Sequence, residues 1–164
     1  MSMDFRKIRR VDLTSDVLQQ TKALLQRVGR RHDEAFVLWA GFFRSENEFA
    51  VTTALFPKQE SIRSTLGVGV YIEGREIREI NQWLYVNRKV LLGQVHSHPT
   101  QAFHSDVDDF LPMVTTVGQF SVVVPYFARG PLPDLSGCAV FRLNGYADWK
   151  QLSRSEVDSL FKVI

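Results

Sequence analysis

Glu34-Ala35-Phe36-Val37-Leu38-Trp39-Ala40-Gly41-Phe42-Phe43 opens on one carboxylate and then runs nine residues without a charge. A strand with one wet face alternates apolar and polar residues. A continuous apolar run over 35–43 instead fits a strand buried on both faces. Such a strand needs helices above and below its sheet. The fold class expected is therefore α/β, with a central mixed sheet and helices on both of its faces.

Ser45, Glu46 and Asn47 supply turn chemistry, and 49–56 reads as a second strand, antiparallel to the first. Upstream, Val17, Leu18, Thr21, Leu24, Leu25 and Val28 recur at helical spacing, which predicts a helix over 14–30. Thr14 or Ser15 is its cap and Gly29 sits near its end. Downstream, 57–66 reads as a polar loop. A helix is expected over 76–88, with Ile77, Ile80, Leu84 and Trp83 inward. A short strand over 90–96 follows, ended by Pro99. Residues 105–117 read as a helix kinked at Pro112. Strands over 120–126 and 138–143 flank a Pro- and Gly-bearing loop. A helix over 153–163 carries a Ser153-x-x-Glu156 capping box. For Trp83, Tyr85 and Trp149 the core is the expected place.

The chain has 164 residues, enough for one domain with one core, and no repeat or linker divides 1–164. A net charge of +2 with interspersed signs argues against a nucleic-acid or anionic-membrane partner. No apolar run approaches the roughly 20 residues that span a bilayer. The polar, basic start does not read as a secretory signal, and the single cysteine, Cys138, excludes an internal disulfide. A cytoplasmic protein is expected, with Cys138 as inert packing.

The chemistry concentrates in Gln94-Val95-His96-Ser97-His98-Pro99 and Ser105-Asp106-Val107-Asp108. Three of the four histidines fall within nine residues. Residues two apart on a strand point to one side, so His96 and His98 can reach one ion at a strand end. Asp108, in the first turn of the next helix, adds a carboxylate. Two imidazoles and one carboxylate suit Zn2+ at about 2.0–2.2 Å and leave a fourth position for water, whose pKa drops to about 7. Glu34, at the mouth of the first strand, is the candidate general base. Each piece has a plainer explanation alone: an incidental His pair, a capping box at Ser105-x-x-Asp108, a solvated strand-edge carboxylate. Their conjunction favours the metal site. Asp106 and Asp109 read as solvated residues at a helix start, and His104 as a loop histidine.

Glu34, His96-Ser97-His98-Pro99 and Ser105-Asp106-Val107-Asp108 together resemble the JAMM (MPN+, JAB) zinc metallopeptidase family, whose motif is an early glutamate, His-x-His-Pro and Ser-x-x-Asp. Residues 34–41 resemble its E-x-x-G-x-L-x-G, with Val37 and Trp39 replacing the first glycine and the leucine. The spacer from His98 to Ser105 is six residues where many relatives have seven. The resemblance implies zinc on His96, His98 and Asp108, with Glu34 activating water and Ser105 hydrogen-bonding the oxyanion. It implies a three-layer α-β-α JAB/MPN domain with a mixed, mostly antiparallel sheet, similar to that of cytidine deaminases, and hydrolysis of a peptide or isopeptide bond after the C-terminal glycine of a ubiquitin-like protein. The short chain looks most like bacterial members that accompany E1-like and E2-like enzymes in ubiquitin-like conjugation systems, some of them antiphage. A groove for the substrate's tail is expected between 57–69 and 127–137, with Val68 and Val70 on an edge strand. Trimming a sulfur-carrier protein, or a non-catalytic scaffold role, are the alternatives. A nucleobase deaminase is excluded, since its cysteine ligands are missing.

Overall fold

The computed structural model describes residues 3–64, 67–102, 113–145 and 148–164. Their elements, in order, are β1 (Arg10–Leu13), α1 (Ser15–Gly29), β2 (Phe36–Phe43), β3 (Glu48–Leu55), β4 (Glu60–Ser64), β5 (Gly67–Tyr71), α2 (Gly74–Val86), β6 (Val90–Ser97), β7 (Phe120–Val124), β8 (Ala139–Gly145), β9 (Asp148–Gln151), α3 (Arg154–Leu160) and β10 (Phe161–Val163). Eight strands form one sheet in the order β10-β1-β3-β2-β6-β7-β8-β9, and β4 and β5 pair separately. Pairing in the large sheet is mixed. The β1–β10, β1–β3 and β6–β7 contacts are parallel, and the other four are antiparallel.

The unbroken apolar run of β2 follows from its position. Ala35, Val37 and Trp39 join the core under α1, built with Val17, Leu18, Leu25 and Val28. Leu38 and Ala40 meet Ile80 and Leu84 of α2 on the opposite face, and Phe36 meets Val70, Ile72 and Ile77. Both faces are covered, as the α-β-α expectation requires. The Trp39 indole is fully buried, and its Nε1–H donates to Thr21 Oγ1 at 2.9 Å. That hydroxyl donates onward to the Val17 carbonyl at 2.8 Å. At Gly41 the β2–β3 register shifts, and a Cβ there would lie 1.8 Å from the Ala50 carbonyl oxygen, so no larger residue fits.

α1 matches its predicted span, and Thr14 is the cap, accepting from the Val17 amide at 3.2 Å. α3 carries both hydrogen bonds of the Ser153/Glu156 capping box. Several expectations need correction. Residues 57–66 are not all loop, because β4 and β5 form a hairpin there. Its polar sequence gives no buried-face pattern. The last helix stops at Leu160, and Phe161–Val163 turns into β10, which hydrogen-bonds β1. β1 and β9 were not expected. Each is a four-residue strand whose neighbours come from far along the chain or across a bulge. Residues 113–117 hold no helix, and the rest of the predicted 105–117 helix lies outside the described residues. Tyr85 is 85% exposed and Trp83 half-exposed beside Lys89, whereas Trp149 packs against Val123 and Phe141. Cys138 is packed against the core, and burial pushes its thiol up to about 12. Among the described residues, no helix is long and apolar enough to cross a membrane.

Candidate metal centre

β2 and β6 run antiparallel, so the start of one lies beside the end of the other. Phe36 is paired with His96. Beyond that pair, the Ser97 amide donates to the Ala35 carbonyl at 3.2 Å, and the Ala35 amide donates to Ser97 Oγ at 3.1 Å. Glu34 and His98 each follow one residue further out, beyond the ends of the two strands. Phe36 faces the α2 side, packing with Val70, Ile72 and Ile77, and His96 lies beside it. His96 is fully buried, and His98 and Glu34 are 8% and 5% exposed. The Phe36 and His96 rings stack obliquely, with centroids 5.4 Å apart.

Gln94, two residues before His96 and equally buried, faces the same way. Its Oε1 accepts from the Met113 amide at 3.1 Å, and its Nε2 donates to Ser121 Oγ at 3.3 Å. Ala102 packs on the same side, against Val123, Ala139 and Phe141. Both described ends of the 103–112 interval therefore adjoin the face that carries His96. Ser105 and Asp108 lie outside the described residues, as do His104, Asp106 and Asp109. Among the described residues, no three His, Cys, Asp or Glu side chains gather in a metal-holding group.

The His98 backbone is held on both sides. Its amide donates to the Val124 carbonyl at 2.8 Å, and its carbonyl accepts from the Phe127 amide at 2.9 Å. His98 Nδ1 sits 3.2 Å from Thr100 Oγ1 and 3.4 Å from the Thr100 amide. The amide donates to Nδ1 and the hydroxyl lies beside it, so Thr100 anchors the ring through that nitrogen. Next to it, Tyr126, Phe127 and Ala128 have φ of 53°, 52° and 56°. Three successive left-handed residues with side chains cost roughly 1–2 kcal/mol each, so the surroundings must enforce this turn.

On the other side of the mouth, Gln59 stands in for a missing strand. β3 ends at Leu55, and the backbone edge of Phe36 would be left bare. The Phe36 amide donates to Gln59 Oε1 at 2.6 Å, and Gln59 Nε2 donates to the Phe36 carbonyl at 2.9 Å. Sequence reasoning missed Gln59, Gln94, Thr100 and the left-handed turn. Only Gln94, a lone amide inside an apolar strand, left a readable signal.

No family model matches the chain. It is 37% identical over 145 residues to a protein from Sinorhizobium fredii named as a probable metalloprotease, y4jG, covering 88% of each chain. The chain belongs to that metalloprotease family. It is also 32% identical over 108 residues to a probable ubiquitin thioesterase of Dictyostelium discoideum, DG1039, spanning 65% of this chain but only 14% of that much longer protein. Two solution structures share the fold at low identity. Protein DSY2949 from Desulfitobacterium hafniense has a TM-score of 0.61 at 14% identity over 94% of both chains. A protein from Salinibacter ruber has 0.55 at 12% over 88% of both.

For a metalloprotease family member, the donor chemistry at the β2–β6 mouth fits a metal ion. Two buried imidazoles stand two residues apart at a strand end, a buried carboxylate lies two residues before Phe36, and the Phe36 ring packs against His96. Nitrogen donors in this setting suit Zn2+ better than Mg2+ or Ca2+, which prefer oxygen.

Proposed function

We propose that this protein is a zinc-dependent peptidase of the JAMM type, which hydrolyses the bond after the C-terminal glycine of a ubiquitin-like protein. The observation that carries the reading is the buried pair His96 and His98 at the end of β6, with buried Glu34 two residues before Phe36, the β2 residue that pairs with His96. The relative named as a probable metalloprotease supports the reaction class, and the one named as a probable ubiquitin thioesterase supports the substrate class.

His96, His98 and Asp108 are the proposed ligands. When bound, the ion supplies Lewis acidity to polarise the scissile carbonyl and to make water acidic near neutral pH. Glu34 accepts the proton of the attacking water and returns it to the departing amine as the C–N bond breaks. Ser105 hydrogen-bonds the oxygen that gains negative charge. Apolar walls around Phe36 exclude bulk water and strengthen these interactions.

The substrate tail is proposed to add a strand to β5, where Gly69 leaves open space over its backbone. Removal of a ubiquitin-like protein from targets built by E1-like and E2-like enzymes, in a bacterial conjugation or defence system, is the cellular role proposed.

A C-terminal fusion of a ubiquitin-like protein is the direct substrate to test. Release of the free partner is expected, and a chelator or Glu34→Ala is expected to cut the rate at least a hundredfold. Chelator-resistant cleavage, or full activity in Glu34→Ala, would contradict the assignment.

A further inference from the structure

The left-handed turn Tyr126–Ala128 makes the backbone contacts that seat His98 and Thr100. The Phe127 amide donates to the His98 carbonyl, and the Tyr126 amide donates to the Thr100 carbonyl, both at 2.9 Å. Thr100 in turn touches His98 Nδ1. Left to itself, a stretch of Tyr, Phe and Ala would not stay at positive φ. Something must hold it, and the contacts on its far side come from the last turns of α1.

Two α1 residues make them. Gln26 Nε2 donates to the Ala128 carbonyl at 2.8 Å, a side-chain bond spanning 102 positions of sequence. Gly29 gives Phe127 its seat, because a Cβ on Gly29 would lie 2.5 Å from Phe127 Cβ. Phe127 and Ala128 are buried there, with the His32 ring edge-on to Phe127 at 6.1 Å. The chain of support thus runs from α1 through the turn to His98.

We propose that Gln26 is a positioning residue for the metal centre: it locks the strained Tyr126–Ala128 turn, which fixes the orientation of His98. The proposal rests on the metal-centre reading above. It assigns to α1, on the opposite face of the sheet, a part in holding the ligand.

The test measures zinc affinity by competition with a chromophoric chelator, and the visible spectrum of the Co2+-loaded chain. Gln26→Glu keeps the side chain's shape and removes its amide donor. It is expected to bind zinc at least tenfold more weakly, as loss of an outer partner does elsewhere, and to shift the Co2+ bands. Adding Ala128→Gly should restore most of the affinity, because glycine takes positive φ without the steric penalty. Ala128→Gly alone should melt no lower than the parent. Zinc binding by Gln26→Glu within twofold of the parent overturns the proposal. So does a loss that Ala128→Gly leaves unrepaired, which marks general packing damage, or a lowered melting point for Ala128→Gly alone. His96→Ala separates the two readings. If it binds zinc as the parent does, or the parent binds none, the metal centre itself is wrong and the proposal falls with it.

Discussion

Leu92 and Val95 of β6 join the core under α1, while Gln94 and His96 of the same strand face α2. All four are buried. The first pair packs in the apolar core and is replaceable by apolar residues of similar volume. In the second pair Gln94 is tied by hydrogen bonds to Ser121 and the Met113 amide, and His96 lies against the Phe36 ring, so each needs a set geometry. One strand thus serves as packing on one side and as chemistry on the other. Damage to the two sides should register in different measurements.

The largest effect is expected on the packing side. Leu92→Ala removes a fully buried side chain and should cost about 2–5 kcal/mol of stability, while zinc affinity measured well below the melting transition stays at the parent value. Equal loss of zinc binding would show that the two faces are not separable. A smaller effect is expected at Thr21→Val. It strips the acceptor from the Trp39 indole, both groups being fully buried, and should cost about 1–3 kcal/mol in urea denaturation with hydrolysis unchanged. The smallest is at the far edge. Hydrogen bonds from Ser153 hold the Glu156 carboxyl below its ordinary value of 4.5. Its contribution is present above that pH and disappears as the pH falls through the lower folded value. Glu156→Ala should therefore melt below the parent at pH 7, and the gap should close in acid. A gap that widens in acid would reverse the sign. Cys138 offers a matched probe. With its thiol pushed up to about 12 by burial, alkylation at pH 8 should follow unfolding only.

The centre of the fold was legible because its signals are local. The run Ala35 to Phe43 declares a doubly covered strand, and α1 declares itself by spacing and by Thr14. The edges were not, since β1 and β10 are short and owe their existence to partners at opposite ends of the chain. In β4, Glu60, Ser61 and Ile62 are exposed, so no buried-face pattern marks that strand. At the site, the clustered histidines and the His-x-His spacing could be read directly. Their supports could not. Gln26, Gln59 and Thr100 are ordinary polar residues until the fold brings a backbone carbonyl or a ring nitrogen beside them. The left-handed turn has no glycine to announce it.

The account stands on zinc held at the mouth of β2 and β6. Elemental analysis of purified chain, after equilibration with zinc and removal of the excess, tests this most directly. One zinc per chain is expected, falling to background in His96→Ala and in His98→Ala while Leu92→Val keeps it. A parent chain without stoichiometric zinc, or histidine variants that retain it, would contradict the account.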